Sequence, residues 1–467
     1  MPSRWRGVIA GGALLILGLL LEGCAFTPRQ ELSDLSNYVV LSGAVAREGD
    51  ARAPAVVVLY CDRGDSYQVA RYRVLAEAGS FAFVLPRDHC RLAAFEDLNG
   101  NLVYDRGEPA GYYGPVDLRP IAAHGVENPG TIREVEGLQV TISETGSIPN
   151  DLPWKGTATT DPVGHDLLGD PVGLEDPTFA KEYRLKGLWQ PLAFLKEIGA
   201  GVLPLEKYDA AKIPVLFIHG SGGSPQDWRY FIEHLDRTRY QPWVYYYPSG
   251  LPLEASAVWL NTVIERMHDE YRFDHLYVTA HSMGGLVARR FIALNAAARN
   301  DYIDLFVSLA TPWGGVPAAR LGADLMPVPV PSWADLVPEG RFIRSLQEDP
   351  IPHTVKHYLF FAYKDGPGFR AASSDGVVSL ESQLDQWAQS EAAGVVGFNE
   401  DHAGVLTSRA AFTAYACVLE MAAPRNGAGE CHDPSPTSPS ADRRASGASG
   451  VRGSIKPFGM TLAGRVR

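Results

Sequence analysis

The sequence predicts an α/β protein in two parts: a small all-β domain over residues 38–143, and a mostly parallel sheet with helices on both faces over residues 191–423. Two observations predict this fold class. In the first part, short runs of β-branched and aromatic residues are separated by Gly, Asp and Arg turns. In the second part, apolar strand-like runs alternate with amphipathic stretches, as expected for a parallel sheet covered on both faces.

The strand-like runs of the first part lie at 38–45, 55–60 and 81–85. Their layout, which ends in the run 92–97, resembles that of the small carboxypeptidase-regulatory-like or Cna-B-like β-sandwiches. Such domains are commonly spacers or binding modules. The resemblance therefore implies that the first part of the chain is a spacer or a binding module.

The second part carries six strand-like runs with helical stretches between them. The strands are predicted at 213–219, 242–247, 275–281, 304–310, 357–363 and 394–397, and the helices include 226–235, 254–271 and 286–295. In the last of these helices, Leu286, Val287 and Phe291 follow helical spacing and form one apolar face.

A serine lies at the junction between the third of these strands and the helix after it. Ser282 is flanked two residues away by Ala280 and Gly284. A strained turn that lifts a serine hydroxyl above a sheet needs small residues at these two positions, because larger side chains would collide. The pattern indicates that Ser282 is a nucleophile.

A serine nucleophile needs a base, which is usually a histidine oriented by a carboxylate. Four histidines follow Ser282. His432 lies in a Pro/Ser/Gly-rich tail, and His353 and His357 border a strand-like run, where a structural role is more common. His402 lies in a polar loop directly after the last predicted strand, so it is the predicted base.

The acid that orients the base is expected after the strand 357–363, and two aspartates follow that strand. Asp375 lies in a polar turn followed by Gly-Val-Val, which places its carboxylate on a short loop that packs inward. Asp365 lies between a lysine and a glycine, the surroundings of a solvated turn residue. Asp375 is preferred, and Asp365 is the alternative.

Attack by serine on an acyl carbon also needs two N–H donors for the oxyanion. The backbone N–H of Met283, at the positive N-terminal end of the helix after the nucleophile, is the first candidate. The N–H of Ser221 is the second, because the preceding His219-Gly220 pair lets the backbone curl toward the serine. His219 itself and His281 are predicted to be structural.

Together these residues resemble the α/β-hydrolase superfamily, and within it the bacterial lipase and esterase branch. The resemblance covers residues 190–423, and the motifs at 280–285 and 311–315 also resemble those of GPI inositol-deacylase-like lipases. It implies a catalytic triad of Ser282, Asp375 and His402 that works through an acyl-enzyme and requires no cofactor.

The chain starts with a basic segment, followed by the apolar run 7–21 and then Glu-Gly-Cys24. This order is the layout of a secretory signal, and the run is shorter than the ~20 residues of a spanning helix. Its end resembles a bacterial lipoprotein signal over 1–23. The resemblance implies lipidation of Cys24, a tether over 24–37 and anchoring to the outer membrane of the cell envelope. A plain signal peptide is the alternative.

Cysteine content and charge restrict the partners. The formal net charge of −12 at pH 7 argues against nucleic acid. No Cys/His cluster has the spacing of a zinc site. In an oxidising compartment, Cys61 with Cys90 and Cys417 with Cys431 are candidate local disulfides, and buried free thiols are the alternative.

One loop of the first part has oxygen side chains at the ligand spacing of a calcium loop. They are Asp97, Asn99, Asn101, Asp105 and Glu108. The loop has glycine at its fourth place instead of its sixth, and no helices flank it. A calcium site is one prediction. The other is a turn in which Asp97 and Asn99 accept hydrogen bonds from nearby amides.

Three segments have weak patterns. Residues 144–190 show little periodicity and are predicted to be a linker. Residues 424–467 are rich in Pro, Ser, Gly and Arg and are predicted to be a disordered tail. Alternating prolines in 321–333 favour an extended strap. Candidates for an acyl-binding pocket, or else for packing on the body of the domain, are Trp313, Leu325 and Trp333.

Three functional hypotheses follow. The favoured one is an envelope carboxylic-ester hydrolase of the lipase or esterase type, whose substrate is a lipid or another acyl ester. The second is an amidase or an acyltransferase with the same triad, which product analysis distinguishes from the first. The third is a non-catalytic envelope binding protein. A missing triad member would favour this third hypothesis, and none is missing.

Overall fold

The computed structural model describes residues 38–117 apart from short gaps (50–51, 63, 65, 76–78, 87–88 and 102), and residues 133–152, 171–320, 330–364 and 374–423. It confirms the predicted fold class, an α/β-hydrolase fold preceded by an all-β region. Several predictions fall outside the described residues: the signal over 1–23, the tether over 24–37 with Cys24, Leu325, Asp365, Cys431 and the tail over 424–467.

The strands of the all-β region are β1 (Tyr38–Arg47), β2 (Ala55–Asp62), β3 (Tyr67–Leu75), β4 (Ser80–Pro86), β5 (His89–Glu96), β6 (Ala110–Asp117) and β7 (Arg133–Ile142). They form a three-stranded sheet of order β4-β1-β7 and a four-stranded sheet of order β3-β2-β5-β6. Leu41 of the first sheet and Leu59 and Leu92 of the second are fully buried in one apolar cluster. The two sheets therefore share a core built from alternate side chains.

A disulfide joins the two central strands of the larger sheet. Cys61 of β2 lies directly opposite Cys90 of β5 in the antiparallel register, and the two sulfur atoms are bonded. This predicted pair is present. Cys417 is buried in the last helix of the second region. Its predicted pairing with Cys431 stays a prediction, because Cys431 lies outside the described residues.

The α/β region begins with short helices and ends with a long one. Its helices are α1 (Lys181–Trp189), α2 (Pro191–Glu197), α3 (Arg229–His234), α4 (Leu253–Tyr271), α5 (Met283–Ala297), α6 (Pro331–Asp335), α7 (Arg341–Glu348), α8 (Leu380–Gln383), α9 (Gln386–Glu391) and α10 (Arg409–Ala422). Short 3-10 turns cover Pro177–Phe179, Pro225–Trp228 and Gly404–Thr407.

A seven-stranded sheet forms the centre of this region. Its strands are β8 (Gly201–Pro204), β9 (Ile213–Ile218), β10 (Tyr240–Tyr246), β11 (Leu276–His281), β12 (Ile303–Leu309), β13 (Lys356–Tyr363) and β14 (Ala392–Asn399). The order is β14-β13-β12-β11-β9-β10-β8, and all pairs are parallel except β10 with β8. The strand order reverses at β9, and at such a point the loops after neighbouring strands diverge and leave a crevice.

Helices cover both faces of this sheet. Along β9, Leu216 and Ile218 face the apolar cluster that contains side chains of α4 and α5. Val215 and Phe217 face the opposite cluster, which contains side chains of α3 and α10. Strand β9 is therefore buried on both faces, which explains its continuous apolar sequence. The edge strand β14 is different, because most of its residues are partly or fully exposed.

Two segments differ from the sequence predictions. The stretch predicted as a linker over 144–190 contains α1, whose Leu188 and Trp189 are buried in the core. Of the predicted extended strap over 321–333, the structure describes only 330–333, and these residues belong to the start of α6, with Pro331 at its first helical position. Proline is compatible with that position because the first N–H of a helix has no partner within the helix.

Within the described residues, no helix is both long and apolar enough to cross a membrane.

Candidate active site

The turn between β11 and α5 holds Ser282 in a strained conformation. Ser282 has φ 54° and ψ −132°, a region of backbone conformation that costs of order 1–3 kcal/mol for a residue with a Cβ. Its N–H donates to the carbonyl of Leu309 at 2.8 Å, and this bond ties the turn to the end of β12. A Cβ on Gly284 would lie 2.4 Å from the carbonyl oxygen of His219. The small residue at this place is therefore required by the close approach of two backbones.

The structure brings the three predicted catalytic side chains together. His402 Nε2 lies 2.9 Å from Ser282 Oγ, and His402 Nδ1 lies 2.7 Å from Asp375 Oδ2. Ser282 is 9% exposed and Asp375 1%, whereas the His402 side chain is 15% exposed. The imidazole is thus the most exposed of the three side chains, and the carboxylate is almost completely buried.

The carboxylate of Asp375 is held by several donors besides His402. Its Oδ1 accepts from the backbone N–H groups of Val377 at 2.9 Å and Val378 at 2.7 Å. Its Oδ2 accepts from Gln383 Nε2 at 3.1 Å. The N–H of His402 donates to the carbonyl of Asp375 at 3.0 Å. Buried polar atoms need hydrogen-bond partners, and both carboxylate oxygens of Asp375 have them.

Two backbone N–H groups beside the nucleophile have no acceptor among the residues that the structure describes. In the described part of the chain, neither Ser221 nor Met283 donates its N–H to any group. A Cβ on Gly220 would lie 3.4 Å from Ser282 Oγ, so the loop that carries Ser221 lies against the nucleophile. Met283 is the first residue of α5, where the first N–H groups are unsatisfied and the helix dipole is positive. Both predicted donors are available to an anion.

Comparison with known proteins finds similarity in the segment that contains Ser282. The family model described as lecithin:cholesterol acyltransferase matches residues 250–321, a segment that contains Ser282. The phosphatidylcholine-sterol acyltransferase of Gallus gallus is 44% identical over 57 residues, which are 12% of this chain and only 14% of that protein's length.

The chain is an enzyme of the α/β-hydrolase fold.

Two solved structures similar to this enzyme match 46% and 37% of its chain. A Bacillus licheniformis lipase, BlEst2 in its mature form, has 19% sequence identity and a TM-score of 0.37, and the match covers 46% of this chain and 94% of that one. Phospholipase PlaB from Legionella pneumophila, in complex with thio-NAD, has 16% identity and a TM-score of 0.30. That match covers 37% of this chain and 44% of that one.

The enzyme contains a second serine–histidine pair, which makes a useful contrast. Ser308 Oγ lies 2.9 Å from His357 Nε2, the same separation as in the candidate triad. Both residues are almost completely buried, and His357 Nδ1 has no hydrogen-bond partner within the described residues. Without an acid or access to solvent, this pair has only half of the arrangement that activates a serine.

Two further histidines support the site. His281 Nε2 donates to the carbonyl of His402 at 2.8 Å and fixes the loop that carries the base. The ring of His219 stacks on that of Tyr247 at 4.4 Å. Burial lowers the pKa of His281 well below its usual value, and the neighbouring His402 lowers it further. These contacts favour the structural roles that the sequence predicts for His219 and His281.

Buried neutral histidines should make the enzyme sensitive to acid. Burial lowers the pKa of His219 to about 4 and that of His357 to about 3, and Arg289 adds to the second shift. In the unfolded chain both groups have ordinary pKa values near 6.5. Between these limits the unfolded state binds more protons, so the free energy of unfolding should fall as the pH drops from about 6.5 to 4.

Each histidine should contribute about 3 kcal/mol to this loss. Urea denaturation between pH 4.5 and 7.5 measures it, with His357→Gln alongside, because glutamine keeps a polar group beside Ser308 but does not titrate. The variant should lose less stability than the parent over the same pH range. Parallel pH dependences for the two proteins would contradict this explanation.

Two of the three predicted pocket residues, Trp313 and Trp333, pack on the body of the domain. Trp313 is 1% exposed, and its ring lies 5.4 Å from those of His357 and Trp387. Trp333 is 6% exposed and meets Trp189 edge-on at 5.6 Å. These contacts favour the packing alternative for both tryptophans.

The calcium-loop candidate forms a hydrogen-bonded turn. Oxygen atoms of Asp97 and Asn99 accept from the N–H of Asn101, at 3.1 and 3.0 Å. The side chains of Asp105 and Glu108 accept from nearby amides. These contacts match the turn that the sequence offers as the alternative. Within the described residues no group of three or more His, Cys, Asp or Glu side chains has metal-binding geometry, and calcium stays a prediction.

Sequence reasoning missed two residues that shape the site. Gln383 contacts the acid directly, and Ser249 Oγ accepts from the N–H of Gly222 at 2.8 Å, which fixes the loop after Ser221. Neither residue lies in a recognisable motif. Each acts through a side-chain contact that depends on how the chain folds back, and short sequence patterns carry no signal for such a contact.

Proposed function

We propose that the enzyme is a carboxylic-ester hydrolase of the lipase or esterase type, with Ser282 as nucleophile, His402 as base and Asp375 as orienting acid. The observation that carries this proposal is the continuous hydrogen-bonded chain from Ser282 Oγ through His402 to Asp375, at 2.9 and 2.7 Å. The N–H groups of Ser221 and Met283, which have no acceptor among the described residues, supply the remaining requirement for attack at an acyl carbon.

The first half of the reaction forms an acyl-enzyme. His402 Nε2 takes the proton of Ser282 Oγ as that oxygen attacks the ester carbonyl. The carbonyl oxygen becomes an oxyanion, which accepts hydrogen bonds from the two backbone amides. When the tetrahedral intermediate collapses, the bond to the alcohol breaks and His402 returns the proton to the departing oxygen. Asp375 stabilises the imidazolium throughout and keeps a proton on Nδ1.

The second half regenerates the enzyme. A water molecule gives one proton to His402 Nε2 while its oxygen attacks the acyl carbon, and the same two amides receive the oxyanion. Collapse releases the carboxylic acid, and the proton on His402 returns to Ser282 Oγ. Apart from the ester and the water molecule, the steps of both halves use only groups of the chain.

A lipid is the proposed substrate class. The match of residues 250–321 to the lecithin:cholesterol acyltransferase model, and the short match to the chicken enzyme of that name, support an acyl ester of a phospholipid. The prediction that the chain is anchored to the outer membrane through Cys24 would place it beside such lipids. Incorporation of labelled palmitate that is lost in Cys24→Ser would test the anchor.

Acyl transfer to an alcohol is the second candidate function. The same two comparisons favour it, because the proteins that they name are acyltransferases. The two functions share the acyl-enzyme and differ only in whether water or another hydroxyl attacks it. The acceptor therefore decides between them, and the triad does not.

Product analysis on vesicles tests this proposal. Phosphatidylcholine vesicles with a labelled acyl chain are incubated with the enzyme, with and without cholesterol. Release of labelled fatty acid in both preparations supports hydrolysis, and labelled sterol ester in the second supports transfer. If neither phospholipid nor soluble p-nitrophenyl esters are cleaved by folded enzyme, the proposed function is wrong.

A further inference from the structure

Gln383, the last residue of α8, is buried in contact with the acid of the triad. The residue is 1% exposed. Its Nε2 lies 3.1 Å from Asp375 Oδ2, the same oxygen that accepts from His402 Nδ1. It also lies 3.0 Å from the carbonyl of Ala362 and 3.1 Å from that of Val378. One amide group therefore connects the acid, its turn and the neighbouring strand.

The orientation of this amide is fixed by the end of the sheet. Strand β12 pairs with β13 only as far as Leu309 opposite Phe360. Beyond that point the Gln383 side chain takes the place of the missing strand, because its Oε1 accepts from the N–H of Ala362 at 2.9 Å and its Nε2 donates to the carbonyl. The reversed amide would set oxygen against oxygen at Ala362 and at Asp375. The donor must therefore face the carboxylate.

We propose that Gln383 is a positioning residue for the triad, which aims Asp375 Oδ2 at His402 and reduces the negative charge that the imidazole experiences. The inference rests on the proposed function. A donor on the carboxylate disperses its charge, so the carboxylate stabilises the imidazolium less strongly. Gln383 thereby helps to set the pH at which the base becomes available, and it does so without touching substrate.

Other ionisable groups near the triad stay the same when Gln383 is changed. The ring of His281 lies 4.7 Å from that of His402. Glu400 and Asp401 precede the base on its own loop, and Asp401 is exposed. The N–H of Lys364 donates to the residue before the acid. Because these groups are common to all variants, a difference between variants reports on residue 383.

Two substitutions should move the pH profile in opposite directions. Gln383→Met removes the donor, so the acid limb of kcat/KM should move upward by roughly half a pH unit. Gln383→Lys places an ammonium beside three acceptors and should move the limb downward by about one unit. KM for a soluble ester should change less than about twofold in both variants, because neither variant alters a substrate contact.

Gln241 provides the matched control. It is also fully buried, and its side chain makes the same kind of backbone bonds, accepting from the N–H of Asp209 and donating to the carbonyls of Asp209 and Lys212. It makes no contact with the triad. Gln241→Met should lower the melting temperature as Gln383→Met does, but should leave the acid limb in place.

The experiment uses the full chain and records two signals. These are kcat/KM for a p-nitrophenyl ester against pH, and the low-field proton resonance of His402 Nδ1–H against pH. The inference is supported if the pH midpoints of these two signals move in opposite directions in Gln383→Met and Gln383→Lys. Unmoved midpoints in folded variants, or equal movement in Gln241→Met, would overturn it.

Failure of the proposed function is distinguishable from failure of this inference. If the parent enzyme cleaves no ester, the proposed function fails, and the proton resonance still reports the effect of residue 383. If Gln383→Met does not fold, Gln383→Lys provides the test. The acid limb of its kcat/KM profile should move downward, and general loosening of the site should move that limb in the opposite direction.

Discussion

Ser282→Ala should lower kcat/KM for a soluble ester by about 10⁴-fold or more, because it removes the atom that forms the acyl-enzyme. The folded structure should remain intact. Alanine keeps the Cβ at φ 54° and loses only the hydroxyl, whose one side-chain hydrogen bond within the described residues is with His402. The melting temperature should therefore change by no more than a few degrees. Steady-state kinetics and thermal unfolding on the same preparation measure both quantities.

Ser308→Ala is the matched control for this prediction. Ser308 also lies 2.9 Å from a histidine, but within the sheet and away from solvent. Its removal should reduce stability, because His357 loses a partner, and should leave kcat/KM within a few-fold of the parent value. Loss of activity in Ser308→Ala, or retention of activity in Ser282→Ala, would show that the nucleophile has been misassigned.

Asp375→Asn should lower kcat/KM by about 10³–10⁴-fold although it changes a single atom. The N–H groups of Val377 and Val378 require an acceptor, so the oxygen of the new amide should take the place of Oδ1. Its nitrogen then faces His402 and can only donate. His402 must accept at Nδ1 and carry its proton on Nε2, and in that tautomer it cannot take the proton of Ser282.

Asp365→Asn tests the alternative acid that the sequence offers. It should leave kcat/KM within a few-fold of the parent value, because the hydrogen bond to His402 comes from Asp375. Asp375→Asn should also lose stability, since its nitrogen faces the donor Nε2 of Gln383. Comparable activity losses in the two variants, or a loss confined to Asp365→Asn, would refute the assignment of the acid.

Much of the catalytic region was predictable because its signals are local. The strand β9 and the turn after β11 follow from apolar runs and small residues that must be adjacent in the chain. Asp375 could be preferred over Asp365 because a polar turn followed by small and β-branched residues folds back on itself. In the structure this turn supplies two N–H donors to the carboxylate.

Other features depend on contacts between distant segments. The helix α1 has a mixed sequence, and its burial comes from the loop after β10, where the N–H of Gly250 donates to the carbonyl of Gly187 at 2.9 Å. Gln383 can bond to the backbone of Ala362 in β13 only because the pairing of β12 with β13 stops two residues earlier, at Phe360. The prolines of 321–333 suggested an extended strap, yet proline at the first helical position is also favourable, and α6 begins at Pro331.

Covalent labelling of the nucleophile tests the central claim most directly. The full chain, purified in detergent, is treated with a fluorophosphonate, and its intact mass is measured beside those of Ser282→Ala and His402→Ala. A single stoichiometric adduct on the parent, absent from both variants, is the predicted result. An unlabelled but folded parent, or a parent labelled at a residue other than Ser282, would contradict the assignment of Ser282 as an activated nucleophile.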